Sequence, residues 1–415
     1  MGDMLTPSAH VMKRSLSEVN EDSMVEIFSR LSAKDISISK CVCKKWNGVM
    51  SHNLFICRYV QKPVSISGLY FQQHEELPDF RELPVIYIPL EIENPQMEET
   101  VLDFLPEKVS LMSSSNGLLC CRSFVSTFIR NVPNGRFEGI HCPVKNPKIY
   151  ICNPVNKEFT VVNPTEAGTG INIGLNFDPI NGGFQLVTVN CNQQMTFPPW
   201  KFSASVFSSK TWSWKVLGAV FDWNSRIHRN KTVCVKGVFY WLTTNHHVIT
   251  FDMEKEVFGV VKLPGPAMEG EGFHGVCLGS SEECLVYVVV HPLEIRVWVL
   301  KNDGKEWFME NRLNLIHFYE RNKEMLSPHL LDMFLEYKLN DETQTTAAVL
   351  PLAFREGVLY MDLHWFMYSY EFKTGSLKKH FYTHDMKCEI FHSASVVPYG
   401  LNLAAMGFLK GDWTE

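Results

Sequence analysis

The chain has 415 residues, 45% hydrophobic and 20% charged, an ordinary globular composition with room for a small module and a large domain. Its formal net charge of −6 excludes a global basic field that would recruit nucleic acid or an anionic membrane. The first residues hold no apolar core of signal-peptide length, and no later run reaches 18 apolar residues, so neither secretion nor a membrane span is expected.

Residues 1–18 read as a disordered tail. Helical periodicity starts at Asn20, which can cap a helix whose first turn holds Glu21 and Asp22, where the helix dipole favours negative charge. Met24, Ile27, Phe28 and Leu31 recur at i, i+3, i+4 and i+7 as one apolar stripe. "SAKD" (Ser32 to Asp35) resembles a capping box with Asp in place of Glu or Gln, and restarts a short helix through Ile36, Ile38 and Val42. "KKWNGV" closes the region, with Gly48 expected to break it. Residues 19–60 therefore read as a three-helix unit of roughly 40 residues, near the lower size limit for independent stability. Its apolar faces exceed what so small a core can hide, which points to a partner surface. Cys41 and Cys43 would lie about 200° apart on a helix and cannot serve one site. One or both are expected to pack as small hydrophobes, with Lys44 and Lys45 in solvent and Val42 and Trp46 on one face.

Residues 61–68 ("QKPVSISG") read as a linker, and the pattern changes from 69 to 400. Short apolar runs alternate with Asn, Pro, Gly, Asp and Lys-Thr-Gly turns, as strands do. One motif recurs: a strand ends in a small or acidic residue, a turn follows, and the next strand opens on an aromatic or Leu. It runs from Asn153 to Phe159, Ser208 to Trp214, Asp252 to Phe258 and Glu371 to Leu377, with the same offset each time. A looser copy joins Val299-Leu300 to Trp307. Constant loop length fixes hairpin register. Repeats of about 40 to 50 residues with four strands each are the mark of β-propellers, and roughly two dozen strands suggest about six blades. The alternative is one or more β-sandwiches. Residues 314–346 interrupt the rhythm with Met and Leu at helical spacing around Pro328, and read as a partly helical insertion. Residues 401–415 read as a tail.

Motifs for chemistry are absent. There is no G-x-S-x-G elbow, no H-E-x-x-H helix and no P-loop. The twelve cysteines lack the C-x-x-C doublets of zinc sites and are expected to be reduced and mostly buried, in a protein of the cytoplasm or nucleus. His246–His247 lies between two strands, where neighbours point to opposite faces, and His141–Cys142 lies in a loop without ligand partners. Asp178, Asp252, Asp362 and Glu371 follow strands, where turn-forming acids belong. No catalytic residue, metal or cofactor is expected, and a propeller hydrolase is the minor alternative.

The segment "VNEDSMVEIFSRLSAKDISISKCVCKKWNGVMSHNLFICRYV" (Val19 to Val60) resembles an F-box, through Glu26-Ile27, the "SRL" at Ser29 to Leu31, the "AKD" turn, "CVCKKW" and the closing "NLFI". Downstream, "SSSNGLLCC", "IYICNPVNKEFTVV", "SVFSSKTWSWKVL", "VKGVFYWL", "ITFDMEKEVFGVVKLP" and "FHSASVVP" resemble, in order, the F-box-associated domain of plant F-box proteins. The resemblance implies a receptor subunit of a Skp-cullin-F-box ubiquitin ligase. It would dock on a Skp-family adaptor, and through it on cullin and a RING protein, by Met24, Ile27, Phe28, Leu31, Ile36, Ile38, Val42 and Trp46. The β domain would then bind a target protein. A free protein- or glycan-binding propeller is the alternative. The family's usual Leu-Pro opening is Val19-Asn20 here, and a second common Pro is Ser32, so a rigid element at the edge of the docking face is missing. Target recognition is expected on the longer loops, 131–146, 192–201 and 222–231, and on the 314–346 insertion. Trp200, Trp223, Arg226 and Arg229 have the residue types enriched at interface hot spots.

Overall fold

The computed structural model describes residues 20–31, 33–60, 66–72, 85–90, 101–123, 127–131, 137–141, 148–165, 172–191, 200–225, 227–265, 275–291, 293–301, 304, 306–339, 349–382, 395–402, 405 and 409. Two compact units divide the chain, Met1–Lys62 and Pro63–Glu415. Among the described residues, no helix is long and apolar enough to cross a membrane. The expected tail at 1–18 and the Ser32 side chain lie outside the described residues.

The first unit holds α1 (Glu21–Phe28), α2 (Ala33–Ser39), α3 (Lys44–Ser51) and α4 (Asn53–Val60). Among the described residues, four helices stand where three are expected, and the turn chemistry explains why. Asn20 caps α1 as expected, its Oδ1 accepting the Asp22 N–H at 2.9 Å. Gly48 does not break the chain; it lies inside α3, with open space where a side chain would project. The break falls at His52, whose backbone is extended and whose Nδ1 accepts the Leu54 N–H at 3.3 Å at the start of α4. Cys41 and Val42 form the turn between α2 and α3, so no helix runs through "CVCKKW". Both Cys41 and Cys43 are exposed instead of packed. Cys43 caps α3, its Sγ accepting the Trp46 N–H at 3.4 Å.

Among its described residues, the second unit is all-β apart from two α-helices. β1 (Gly68–Gln72) and β2 (Ile86–Pro89) open it. β3 (Val109–Ser115), β4 (Leu118–Ser123), β7 (Ile149–Asn153) and β8 (Glu158–Val162) form one sheet, with the hairpin β5 (Thr127–Asn131) and β6 (Phe137–His141) set apart. β9 (Asn172–Phe177), β10 (Phe184–Cys191), β11 (Trp200–Ser208) and β12 (Ser213–Trp223) form a second sheet. β13 (Ile227–Val235), β14 (Val238–Thr243), β15 (His247–Asp252) and β16 (Val257–Lys262) form a third. β17 (Val276–Ser281), β18 (Cys284–His291), β19 (Glu294–Lys301) and β20 (Glu306–Asn314) lead into α5 (Leu315–Asn322) and α6 (His329–Leu339). β21 (Val349–Arg355), β22 (Val358–Leu363), β23 (Phe366–Glu371) and β24 (Ser376–Tyr382) follow, and β25 (Ser395–Tyr399) pairs back onto β1 from Gly68↔Tyr399 to Gln72↔Ser395. The leading strands pack side by side, β3 on β9, β9 on β13, β13 on β17, β17 on β21 and β25 on β3, in a propeller-like arrangement.

The blade count differs from expectation. The described residues give four large sheets, three of four strands and one of eight, not about six separate blades. The eight-stranded sheet joins the meander β17–β20 to the meander β21–β24 through a parallel bridge, Ser280↔Arg355. Gly279 permits that bridge, because a Cβ there would sit 2.1 Å from the carbonyl oxygen of Phe354. The closing sheet β2-β1-β25 has three strands.

The recurring motif forms the hairpin between the last two strands of each meander. Cys152 pairs with Phe159, Phe207 with Trp214, Phe251 with Phe258, Leu300 with Trp307 and Tyr370 with Leu377. Lys157, Trp212, Glu256 and Gly375 close four of these turns at positive φ. Two of the motif's indoles then bind a carbonyl of an earlier meander: Trp214 Nε1 donates to Asn163 at 2.7 Å, and Trp307 Nε1 to Lys262 at 2.9 Å. The side chain that fixes hairpin register therefore also ties neighbouring meanders together.

Two boundaries shift. Ile66 is buried and β1 starts at Gly68, inside the expected linker. The core also runs past residue 400. Ala405 and Leu409 pack with Leu118, Ile151 and Phe177, and Asn153 Nδ2 donates to the Ala405 carbonyl at 2.9 Å. Both shifts arise from apolar residues that are buried outside the expected strand region, Ile66 before β1 and Ala405 and Leu409 after β25. Within 314–346, Leu315, Phe318, Leu330 and Phe334 of α5 and α6 pack against Val297 and Met361.

Candidate functional site

The eight residues expected on the docking face of the helical unit divide into two groups. Met24 and Phe28, one turn apart on α1, are buried, and so is Ile36 on α2. Phe28 meets Trp46 edge to face at 4.9 Å between ring centres. These three residues are core and not surface, which corrects the expectation for them: a helix of eight residues spends one stripe on its own unit. Ile27 (56%), Ile38 (60%) and Val42 (62%) are exposed, and Leu31 and Trp46 are half-buried. Leu54, 75% exposed beside the buried Phe55, belongs with the exposed group, and sequence reasoning missed it. Its position next to a core residue at the start of an amphipathic helix was the available signal. Glu26 carries ion pairs to Arg30 at 2.9 Å and Arg58 at 2.6 Å, which link α1 to α4 at the surface.

In the β domain, Trp200 and Trp223 come together as a cross-strand pair at the open end of β11 and β12. Trp223 is half-buried. It stacks on Phe221 at 5.7 Å and meets His247 edge-on at 5.2 Å, while Phe221 stacks on Phe258 at 5.6 Å. This row packs one meander on the next, so Trp223 has a packing partner on either side. Arg229 lies on β13. Its side chain, that of Trp200, Arg226, and most of the loops 131–146 and 192–201 lie outside the described residues.

The opposite end of β13 borders a cleft of about 850 Å³, which the sequence did not signal. It lies where the turns of β13–β16 meet those of β17–β20, lined by Tyr240, Lys236, Lys255, Glu283 and Lys301 among others. Lys236 pairs with Glu283 at 3.1 Å and Lys255 with Asp252 at 2.8 Å, so much of its charge is already matched.

Three of the four acids serve turns. Asp178 accepts the N–H groups of Ile180 and Asn181 at 2.9 and 3.0 Å. Asp252 accepts those of Glu254 and Lys255, both at 3.0 Å. Burial would raise the Asp252 carboxyl, but the Lys255 ammonium and these backbone donors outweigh it and hold it below the ordinary range. Glu371 accepts the Thr374 hydroxyl at 2.6 Å, and Asp362 lies within β22 opposite Met367. His246, at positive φ in a turn, is buried against Tyr287, whereas His247 turns to Trp223, so the two rings diverge. Cys120, Cys121 and Cys152 are buried, and burial pushes the Cys120 thiol up, away from a reactive thiolate. Among the described residues, no group of three or more His, Cys, Asp or Glu is placed to hold a metal ion. Cys142 lies outside the described residues.

A short helical unit that leaves large aliphatic side chains exposed, followed by a propeller-like β domain, defines a two-part protein. Residues 16–57 match the F-box domain, and residues 69–326 match the F-box associated beta propeller domain. The chain belongs to the F-box associated beta propeller domain family and carries an F-box ahead of that domain. It is 24% identical to F-box protein At5g49610 of Arabidopsis thaliana over 311 residues, covering 71% of this chain and 79% of that protein. It is also 24% identical to F-box protein DOR of Arabidopsis thaliana over 313 residues, covering 72% and 73%. Among solved structures, the periplasmic gluconolactonase PpgL of Pseudomonas aeruginosa aligns with a TM-score of 0.38 at 11% identity, over 76% of this chain and 82% of that one. A likeness so loose carries no argument about chemistry.

Proposed function

We propose that this chain is the substrate-receptor subunit of a Skp-cullin-F-box ubiquitin ligase in the cytoplasm or nucleus. The helical unit docks on a Skp-family adaptor, which links it to cullin and a RING protein, and the β domain holds a target protein for ubiquitination. The observation that carries this reading is the exposure of Ile27, Ile38, Val42 and Leu54 on the unit that matches the F-box. Each side chain is more than half exposed, so a partner that covers it gains about 1 kcal/mol from apolar burial. Leu31 and Trp46 flank this set, and Met24, Phe28 and Ile36 act by holding the helices that present it. No residue of the chain is assigned a catalytic role. Asp178, Asp252 and Glu371 are occupied as turn acceptors and Asp362 lies within a strand, and the chemistry of ubiquitin transfer belongs to the assembled partners. Capture of the tagged full-length chain on an immobilised Skp-family adaptor tests the docking. Wild type is retained, and Ile38→Asp with Val42→Asp is not. Failure of the wild type to bind any such adaptor overturns the proposal.

A further inference from the structure

Near one end of β19, Glu294 lies buried between two arginines. Arg296 donates from Nε and Nη2 to Glu294 Oε1, and Arg312 donates from Nε to Oε2. Arg296 and Arg312 are directly opposed across β19 and β20. Like charges in that register repel, and the shared carboxylate is what holds them there. Burial would raise the Glu294 carboxyl, but the two guanidinium groups outweigh it, so it stays ionised. The arrangement leaves one positive charge unmatched. It also leaves the remaining N–H groups of Arg312 facing outward from a side chain that is 63% exposed.

The surroundings add further polar groups. His291 pairs with Glu294 in register on β18, and burial followed by the nearby Arg296 charge lowers its pKa. Four residues along the same strands, Tyr287 opposes Trp298. The Tyr287 hydroxyl and the Trp298 indole N–H are buried with no partner among the described residues. A fixed pair of guanidinium forks suits a planar or tetrahedral oxyanion.

We propose that Arg296 and Arg312, fixed by Glu294, recognise an acidic peptide segment of the target protein, one carboxylate or phosphate group bridging both guanidinium groups. This deepens the receptor reading and rests on it, since it names the chemistry of the target. Three fluorescent peptide pools of equal length test it against the purified full-length chain by anisotropy. One pool is rich in Asp and Glu, one carries phosphoserine, and one has Gln and Ser at the same positions. Wild type binds one of the charged pools at least tenfold more tightly than the neutral pool, and the pool preferred assigns carboxylate or phosphate. Arg312→Gln loses that preference with its melting temperature unchanged. Arg312→Lys, which keeps the charge without the fork, weakens it several-fold and decides the matter if the Gln variant does not fold. Equal binding of all three pools, or a preference that survives in Arg312→Gln or is undiminished in Arg312→Lys, overturns the proposal. The assay contains no adaptor, so its failure leaves the docking reading standing, and failed adaptor capture leaves this site standing.

Discussion

Phe28 and Val42 are both expected on the docking face from the sequence, and the structure gives them opposite surroundings. Phe28 is 4% exposed and packs edge-on against Trp46, whereas Val42 is 62% exposed in a turn. Truncating a buried Phe to Ala costs about 3–5 kcal/mol. A unit of roughly 40 residues has about 2–6 kcal/mol of stability at ordinary per-residue values. Phe28→Ala therefore removes from about half to all of that stability. Val42→Asp removes no buried contact and changes stability by about 0.5 kcal/mol or less. Hydrogen exchange of the full chain reads the difference. Amides of α1 and α3 lose protection in Phe28→Ala and keep it in Val42→Asp, while both variants lose adaptor binding, for different reasons. Unchanged protection in Phe28→Ala, or lost protection in Val42→Asp, would refute the division of this unit into core and docking residues.

Three further outcomes follow from the β domain. Gly279→Ala forces a methyl group toward the Phe354 carbonyl, so it costs at least the ~1–3 kcal/mol of core overpacking; an unchanged melting temperature would show that the two meanders do not approach so closely. Trp307→Phe removes the bond to the Lys262 carbonyl and lowers stability by about 1 kcal/mol in urea titration. Asp252 has its carboxyl held below the ordinary value of 3.8, so its contribution is present above that pH and is lost as pH falls through the lower folded-state value. Wild type is therefore more stable than Asp252→Asn at neutral pH, and the gap closes in acid; a gap independent of pH would contradict the ionised cap.

Local periodicity made much of the architecture legible. Asn20 was readable as a cap because its side chain acts two residues away. The six-residue offset was readable because it is a hairpin length, and the register Phe251↔Phe258 follows from it. Features set by distant partners were not readable. Whether Ile27 or Phe28 turns inward depends on what α3 places beneath α1. The joining of two meanders depends on Gly279 meeting a residue 75 positions away in sequence. Ala405 carries no periodic pattern that announces its burial among earlier strands. Arg296 and Arg312 look like ordinary strand cations until β19 and β20, with an irregularity between Val297 and Trp298, bring them opposite each other. Cys43 was not readable as a cap, because a thiol that caps a helix has the same sequence context as one that packs.

The docking claim is tested most directly by the mass of the species formed when the full-length chain is co-expressed with a Skp-family adaptor and passed through size exclusion with light scattering. The account predicts a one-to-one complex from the wild-type chain, and two separate species when Ile38→Asp and Val42→Asp are combined. A wild-type chain that elutes alone, or a double variant that still carries the adaptor, would contradict it.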